Sequence, residues 1–410
     1  MNVAVKGGTS GSVQHATSGA VPDAMAGEGS SAVDEAVTEG AVKDAVGEAV
    51  TDGAVTDAVG DRVSNVVVVG AGPTGLTLAC ELAQRGAAVR ILDRRDAPHR
   101  ESRGKGLRPD ALAVFERLGI AGRISAIGQT QLLFRKYFDG AHIEDTAVEG
   151  IMLIGQWQIE DVLRERLAEL GVQVEYGSRL VGISQDADGV DAALADGRTV
   201  RAGYLAGCDG GHSAVRGLLG IAFEGHTDKE QAMVVGDVRA PGLSRDCWHQ
   251  WFTSDHRAMM LCPIPGTDSF QLQSSPELGD DDQPVPPSLE SFQRLFDRHA
   301  RMPGLRLTEP TWLSTWRVNV RMADRLRAGR VFLAGDAAHV HPIAGGFGMN
   351  TGIEDAAALA RALSGETELD AYEAERLPAA AHVLADTTER MLRVTEAVRT
   401  PGKGIEAGLD

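Results

Sequence analysis

Three short stretches set a carboxylate or bare backbone N–H groups at the end of an apolar run, which is the arrangement a phosphate-bearing ligand needs. The first is "VVVVGAGPTGLTLACELAQRGAAVRILDR", residues 66 to 94. Four valines read as a strand buried on both faces, and apolar residues at helical spacing follow from Leu76 to Ala83. Between them lies Gly70-Ala71-Gly72-Pro73-Thr74-Gly75. Gly70 permits the tight turn, Gly72 lets N–H groups approach a pyrophosphate, and Gly75 lets helix and strand pack closely. A second strand, 88 to 92, ends at Asp93, about 20 residues beyond the glycines, where a dinucleotide fold places the acid that binds a ribose hydroxyl. The second stretch is "GCDGGHSAVR", residues 207 to 216, after a strand at 198 to 206. The third is "GRVFLAGDAAHVHPIAGGFGMNTGIEDA", residues 329 to 356, in which Asp336 follows a buried strand, Val331 to Ala334. Asp336 is placed to accept hydrogen bonds from a ribityl chain. The bend from Gly345 to Asn350 then brings N–H groups and a helix N-terminus toward an electron-rich ring oxygen.

The elements around these motifs can be read from periodicity. Leu112, Val114, Phe115 and Leu118 form one helical set. In "GQWQIEDVLRERLAELGV", Ile159, Val162, Leu163, Leu167 and Leu170 share a helix face. Strands at 172 to 176, 179 to 185, 189 to 194 and 198 to 206 are separated by Asp188-Gly189 and Asp196-Gly197 turns. Residues 232 to 275 read as a second, mostly antiparallel sheet, with the aromatics of "DCWHQWF" (246 to 252) on one face, and Trp312 and Trp316 are expected in the core. Two helices, roughly 346 to 363 and 369 to 398, close the chain. Residues 1 to 62 differ from all of this. From Asp34 to Asp61 the sequence carries eight acids against Lys43 alone, in Ala-Val repeats broken by Gly40, Gly47, Gly53 and Gly60. Such a segment has too little to bury to offset its ordering entropy, and it reads as a disordered acidic tail.

Composition narrows the function classes. With 410 residues and 43% hydrophobic content, the chain can hold two compact domains. Its net charge of −18 argues against nucleic acid as a partner. No apolar stretch approaches the ~18 residues of a membrane span, and a cytoplasmic location is expected. Cys80, Cys208, Cys247 and Cys262 are scattered without a C-x-x-C pair, so neither zinc nor disulfides are indicated. His339 and His341, two residues apart with no carboxylate close by in sequence, suit hydrogen bonding better than metal. No metal site is expected.

Together, the three motifs at these separations resemble the flavoprotein aromatic hydroxylases, the p-hydroxybenzoate hydroxylase-like monooxygenases, and especially the bacterial aromatic-polyketide hydroxylases. The resemblance runs from about Val63 to about Leu392. It implies an α/β fold: a Rossmann-like FAD-binding domain (63–230 and 325–365), an inserted, mostly antiparallel substrate sheet (231–324) and a C-terminal helical segment (366–410). It also implies FAD as cofactor, NADPH or NADH as a transient co-substrate, and dioxygen and a small aromatic molecule, phenolic or polyketide-derived, as substrates, with oxygen transferred through a flavin 4a-hydroperoxide.

Residue by residue, Gly70, Gly72, Thr74 and Gly75 would seat the pyrophosphate, and Asp93 the adenosine ribose, with Arg94 beside it. Arg103 in "SRGKGL" matches the family arginine near pyrophosphate and flavin, and Gln156 the glutamine that contacts the cofactor. Leu180 and Asp209 join the cofactor set, Asp336 the ribityl and pyrophosphate, and Gly346, Gly348, Met349 and Asn350 present backbone to the isoalloxazine. Phe347 departs from the glutamine common in the family. The stretch before the Tyr-Glu-x-Glu-Arg sequence is short, and the thioredoxin-like domain of larger polyketide hydroxylases is not in this sequence. Both departures bear on the pocket lid and on assembly, where a homodimer stays open. Baeyer–Villiger insertion and a flavin-binding partner protein, inactive alone, are the alternatives. For a base that ionises a phenol, His249 and Tyr137 are the candidates.

Overall fold

The structure is a computed structural model and describes residues 66–279, 283–342 and 346–399. The acidic segment 1–62, Gly345 of the glycine bend and residues 400–410 lie outside the described residues. The fully buried valines Val66–Val69 form the centre of a six-stranded sheet. Its order is Arg327–Ala328, Val331–Leu333, Tyr204–Gly207, Val66–Val69, Val89–Leu92 and Val174–Glu175, parallel except at the Arg327–Ala328 edge. The strands ending in the three glycine motifs and the strand ending at Asp93 are therefore four consecutive neighbours. Their carboxyl ends open on the same side, where ligands of parallel α/β sheets bind.

The helix Pro73–Gln84 starts with proline in its first turn, where the missing N–H costs nothing. It buries Leu76, Leu78 and Leu82 completely. Gly86, at φ +81°, ends it, and Ala87 N–H reaches back to the Leu82 carbonyl at 3.1 Å. Helices Gln156–Glu169 and Phe347–Leu363 pack on either side of it. In the first of these, Ile159, Val162, Leu163 and Leu167 are buried as their spacing predicts. The hairpin strands Leu180–Gln185, Val190–Leu194 and Thr199–Ala202 form a separate three-stranded sheet.

An eight-stranded sheet makes the second layer, in the order His339–Val340, Thr308–Ala323, Phe223–Arg239, Ser269–Ser274, Ala258–Pro263, Cys247–Phe252, Leu133–Phe138 and Ala141–Ala147. It reaches beyond the expected 231–324 insert. The hairpin at 133–147 joins its far edge, and Leu133–Phe138 runs parallel to Cys247–Phe252. Parallel pairing between segments so distant in sequence leaves no local turn signal. One face packs on helix Leu289–Ala300, whose Ser288 cap and whose Phe292, Leu295, Phe296 and Ala300 at helical spacing bury it against Val234, Val238, Trp251, Leu261 and Leu272.

Strand alternation puts the neighbouring positions on the opposite face, and this corrects two expectations. Trp248 and Trp251 are three apart, an odd spacing, so they fall on opposite faces; only Trp251 is in the core. Trp312 pairs with Asp237 and Trp316 with Met233 in register, which puts both tryptophans, half-buried, on that other face.

The packing of the first turn yields a stability prediction. A Cβ on Gly75 would lie 1.9 Å from the Gly70 carbonyl oxygen, backbone that cannot yield. A Cβ on Gly122, in helix Ala121–Ile127, would meet nothing within 4 Å. Gly75→Ala is expected to cost about 2–3 kcal/mol or more. Gly122→Ala should instead add up to ~1 kcal/mol through helix propensity. Denaturant melts of the two variants check this, and equal effects would disprove the close approach.

Candidate functional site

The glycine motifs interlock by backbone contact. Gly70, at φ +103°, lies where a Cβ would come 2.3 Å from the Cys208 carbonyl oxygen and 2.8 Å from the Asp209 Cα. Thr74 is wedged between two others: a Cβ on Gly335 or on Gly352 would sit 2.5 Å or 2.3 Å from its Oγ1. The first motif thus touches the second through Gly70 and the third through Thr74. Gly72, by contrast, faces open space, with nothing within 4 Å of its would-be Cβ. The same holds for Gly346, at φ +65°, which precedes helix Phe347–Leu363 with no side-chain cap. Open space in front of two uncapped helix N-termini is what a pyrophosphate and a flavin ring need.

The acids divide by what they already hold. Asp336 makes no hydrogen bond among the described residues, and its carboxylate is accessible to solvent. It is nevertheless ringed by protein, and desolvation pushes its carboxyl upward, opposed by the charges of His339 and Arg103. An exposed carboxylate with no hydrogen-bond partner among the described residues suits a ribityl hydroxyl. Asp93 is buried and occupied: it accepts the Ala71 N–H at 2.8 Å, the Arg95 N–H at 2.9 Å and two Arg95 guanidinium bonds at 3.0 and 3.1 Å. Burial pushes its carboxyl up, but these donors hold it below the usual range. Arg95, not the exposed Arg94, is its neighbour in space. Asp209 caps helix Ala214–Leu218, accepting from Ser213 Oγ at 2.5 Å and from Ala214 N–H at 2.7 Å. Its Arg216 in turn donates to the Ala337 carbonyl at 2.9 Å, which ties the second motif to the third.

The segment around Arg103 forms the wall beyond the glycines. A Cβ on Gly104, next to Arg103, would lie 3.2 Å from Gln156 Oε1 and 3.6 Å from Met349 Sδ, so two of the expected residues meet at this glycine. Asn350 is a clamp rather than a free contact. Its Oδ1 accepts the Arg108 N–H at 2.8 Å, and its Nδ2 donates to the carbonyls of Gly106 and Gly346 at 3.0 and 2.8 Å. Phe347, the departure from the family glutamine, lies under the Arg108 guanidinium at 4.4 Å. Arg103 itself is exposed and paired with Glu101 at 2.5 Å. Leu180 is part of the buried core, which leaves only its backbone for a ligand.

His249 and Tyr137 do not belong to this site. Tyr137 Oη and His249 Nδ1 are 3.1 Å apart, and His249 Nε2 is 2.8 Å from the Ser244 carbonyl. Tyr137 stacks on Trp251 at 5.1 Å within the core under helix Leu289–Ala300. Both side chains point to the helix face of the sheet, away from the Arg103 segment, and burial lowers the His249 pKa.

One group that sequence reading passed over stands behind the third motif. Asp355, fully buried, accepts the Gly335 N–H at 3.0 Å, lies 2.7 Å from His339 Nε2 and takes Arg376 Nε at 2.7 Å. Burial pushes this carboxyl up, but His339 and Arg376 hold it below the usual range. The signal was an acid inside the apolar helical run "GIEDAAALARAL", where a charge implies a partner. His339 therefore has the carboxylate missing from its sequence neighbourhood, supplied by the following helix. Its ring stacks on His341 at 6.0 Å. His341 touches the flavin-side helix, 3.5 Å from a Cβ on Gly348.

The open cleft, the unpartnered carboxylate and the uncapped helix ends fit FAD, and two predictions follow from them. Asp336→Ala should weaken FAD binding about 10- to 100-fold, the worth of a charge-assisted hydrogen bond of roughly 1.5–3 kcal/mol; flavin absorbance after dialysis measures it. The second concerns pH. Burial, helped by the charge of His339, lowers the His341 pKa to about 4. A folded pKa below the unfolded value of ~6.5 means that the unfolded chain binds the extra proton. Stability from this group is present above pH ~6.5 and is lost as pH falls toward 4, about 3 kcal/mol in all. The difference in unfolding free energy between wild type and His341→Gln should shrink over that window, and a pH-independent difference would refute the assignment.

Comparison with known proteins agrees with this geometry. Residues 63–387 match the family model described as FAD binding domain. A flavin-dependent monooxygenase of Mycobacteroides abscessus is 40% identical over 352 residues, 79% of this chain and 73% of that protein. A rifampicin monooxygenase of Streptomyces venezuelae is 36% identical over 79% of this chain and 70% of its own length. Among solved structures, aklavinone-11 hydroxylase in a ternary complex with FAD and aklavinone superposes with a TM-score of 0.71 at 28% identity, covering 83% of this chain and 70% of that one. Within the described residues, no helix is long and apolar enough to cross a membrane. The chain belongs to the FAD-binding-domain family and is an FAD-dependent monooxygenase.

Proposed function

We propose that the chain hydroxylates an electron-rich aromatic ring, phenolic or polyketide-derived, using electrons from NADPH or NADH and oxygen from dioxygen. The observation that carries this reading is the position of the segment Ser102–Leu107. On one side it meets the cofactor machinery, through Gly104 against Met349 and Gln156 and through Gly106 against Asn350. On the other side it meets the open face of the eight-stranded sheet: Ser102 N–H donates to Asp237 Oδ2 at 3.2 Å, Gln271 Nε2 donates to the Ser102 carbonyl, and Lys105 Nζ donates to Gln271 Oε1 at 2.6 Å. A flat ring laid on that face would border the cofactor across a wall one segment thick.

Bound FAD supplies the electron transfer and oxygen activation. The chain's own residues bind, orient and exclude water. The turn that Gly70 and Gly75 make possible brings backbone N–H groups from Gly72 onward to the pyrophosphate, and Asp336 holds a hydroxyl of the chain that leads to the ring. The first turn of helix Phe347–Leu363 offers N–H groups to negative charge on the ring edge. Trp248, Trp312 and Trp316 give the sheet face flat apolar surface for an aromatic guest. Relatives named for rifampicin oxygenation and aklavinone hydroxylation support a ring substrate of this size class. With one glycine fingerprint in the chain, the nicotinamide has no dedicated Rossmann site and must visit transiently.

Anaerobic stopped-flow reduction tests the coupling. NAD(P)H should reduce the flavin slowly in the resting enzyme and at least tenfold faster with a hydroxyanthraquinone bound, since a ligand shifts the flavin toward its reducible position. In air with labelled dioxygen, mass spectrometry should find one labelled oxygen on the ring. A lactone would assign Baeyer–Villiger chemistry, and no NAD(P)H oxidation with any ring despite bound FAD would assign a non-catalytic partner.

A further inference from the structure

The open face of the eight-stranded sheet carries a row of side chains at one register level. Cys262 pairs with Gln271, Gln271 with Asp237, and Asp237 with Trp312, while Trp248 pairs with Phe134. His249 opposes Leu261, so Trp248 lies opposite Cys262 and continues the row. Lys105 descends onto this row from the Ser102–Leu107 segment. Its ammonium is 4.6 Å from the centre of the Trp248 ring and 2.6 Å from Gln271 Oε1, and the carboxylate of Asp237 lies within its field.

Buried polar atoms on this face lack hydrogen-bond partners among the described residues: Asp237 Oδ1, Trp248 Nε1, Gln250 Oε1 and Trp312 Nε1. Orphans of this kind are rare, and four in one neighbourhood on the face beside the cofactor mark a place shaped for a polar guest. Gln271 is the one hydrogen-bond partner of Lys105 among the described residues, which leaves donors of the ammonium free.

We propose that Lys105, held over Trp248 by Gln271, receives the hydroxyl oxygen of the aromatic substrate in its ionised form, so that acidic phenols and enols are the substrate class. The inference rests on the aromatic hydroxylase reading above. Its physics is reciprocal. Burial lowers the Lys105 pKa, partly offset by Cys262 and Asp237, so a half-desolvated ammonium gains much from an incoming anion. In the step itself the phenol O–H bond breaks, the proton passes to solvent and the electron pair stays on oxygen, where it enriches the ring that is to be oxygenated. Other charges near Lys105 do not take its place. The Cys262 thiol is pushed up to about 12 by burial and is neutral. On the same face, Lys136 is occupied by Glu144 at 2.8 Å. Asp237, whose carboxyl burial pushes upward, already takes the Ser102 N–H and has the Trp312 and Ser102 side chains beside it to oppose that push.

The test uses the full-length, FAD-loaded protein and alizarin, a hydroxyanthraquinone whose visible absorption moves to the red on ionisation. Titrated at a pH about one unit below its free ionisation, the dye should turn red on wild-type protein, its apparent ionisation shifted tenfold or more toward the anion. Lys105→Met, which keeps the apolar stem, should lose that shift while retaining FAD, as read from flavin absorbance, and Lys105→Arg should restore most of it. An equal red shift in wild type and Lys105→Met overturns the proposal, as does alizarin bound to wild type in its neutral form or not at all. The labelled-oxygen assay separates the two readings. Ring oxidation that continues at equal rates in wild type and Lys105→Met sinks the role of Lys105 alone, whereas no oxidation of any ring by wild type sinks the hydroxylase reading beneath it.

Discussion

A single carboxylate with no solvent exposure, Asp355, holds the third motif in place, and the rest of the site depends on it. An ionised acid in such a position is tolerable only with donors on both of its oxygens, and here backbone, imidazole and guanidinium supply them. Each partner belongs to a different element. Gly335 ends a strand of the parallel sheet, His339 begins the edge strand His339–Val340 of the eight-stranded sheet, and Arg376 lies on helix Leu369–Arg399. One side chain therefore fixes the turn carrying Asp336 relative to both sheets. Such a cluster is weak evidence for net stability, because desolvation offsets much of the attraction; removing one partner, however, leaves a buried charge at a cost of about 3–5 kcal/mol. What the cluster supplies is a defined position for Gly335 and so for the acid next to it.

With that turn fixed, the spacing of the glycines acquires a steric reason. Thr74 fills the gap between Gly335 and Gly352, and Gly70 lies against Cys208 and Asp209, so the three motifs are one packed object assembled from residues more than 250 positions apart. These glycines are where they are because a neighbour occupies the space of a side chain: backbone at Gly70 and Gly75, the Thr74 side chain at Gly335 and Gly352. In the first motif, Gly72 is the exception. Its missing side chain leaves space that nothing in the protein fills, and that difference separates a ligand-facing glycine from a packing one.

How much of this was readable in the sequence follows the range of the interactions. Local patterns carried the parallel strands, the helices Pro73–Gln84, Gln156–Glu169 and Phe347–Leu363, the Asp-Gly hairpins and the order of the motifs, because each depends on residues a few positions apart. The edge hairpin at 133–147 was not readable, since its parallel partner lies more than a hundred residues on. Nor were the faces of the strand Cys247–Phe252: Trp248 and Trp251, three positions apart, fall on opposite sides, and His249, a candidate base by residue type alone, bonds Tyr137 in the core. Asp93 was correctly placed at the end of its strand, yet nothing local shows that Arg95 rather than Arg94 would claim it. Asp355 and Lys105 carried a faint signal, one as an acid in an alanine-rich run and the other as a cation between glycines. Their roles depend on partners that only the fold supplies.

The two sides of the Ser102–Leu107 segment obey different constraints. Toward the cofactor, contacts are set at the level of single Cβ atoms, and a methyl group at Gly70 or Gly75 would collide with backbone. Toward the sheet, the contacts are ends of side chains, with Gln271, Gln273 and Trp312 standing on strands whose backbone pairing does not depend on what they present. Alternation lets these positions change without disturbing Val234, Val238 or Leu272 on the helix side. A scaffold built this way holds its cofactor rigidly and can vary the guest. The segment between must be compatible with both, and glycines on either side of Lys105 meet that demand: they keep the backbone close to Met349 and Ile151 while the one long side chain between them reaches Gln271 and Trp248 on the sheet.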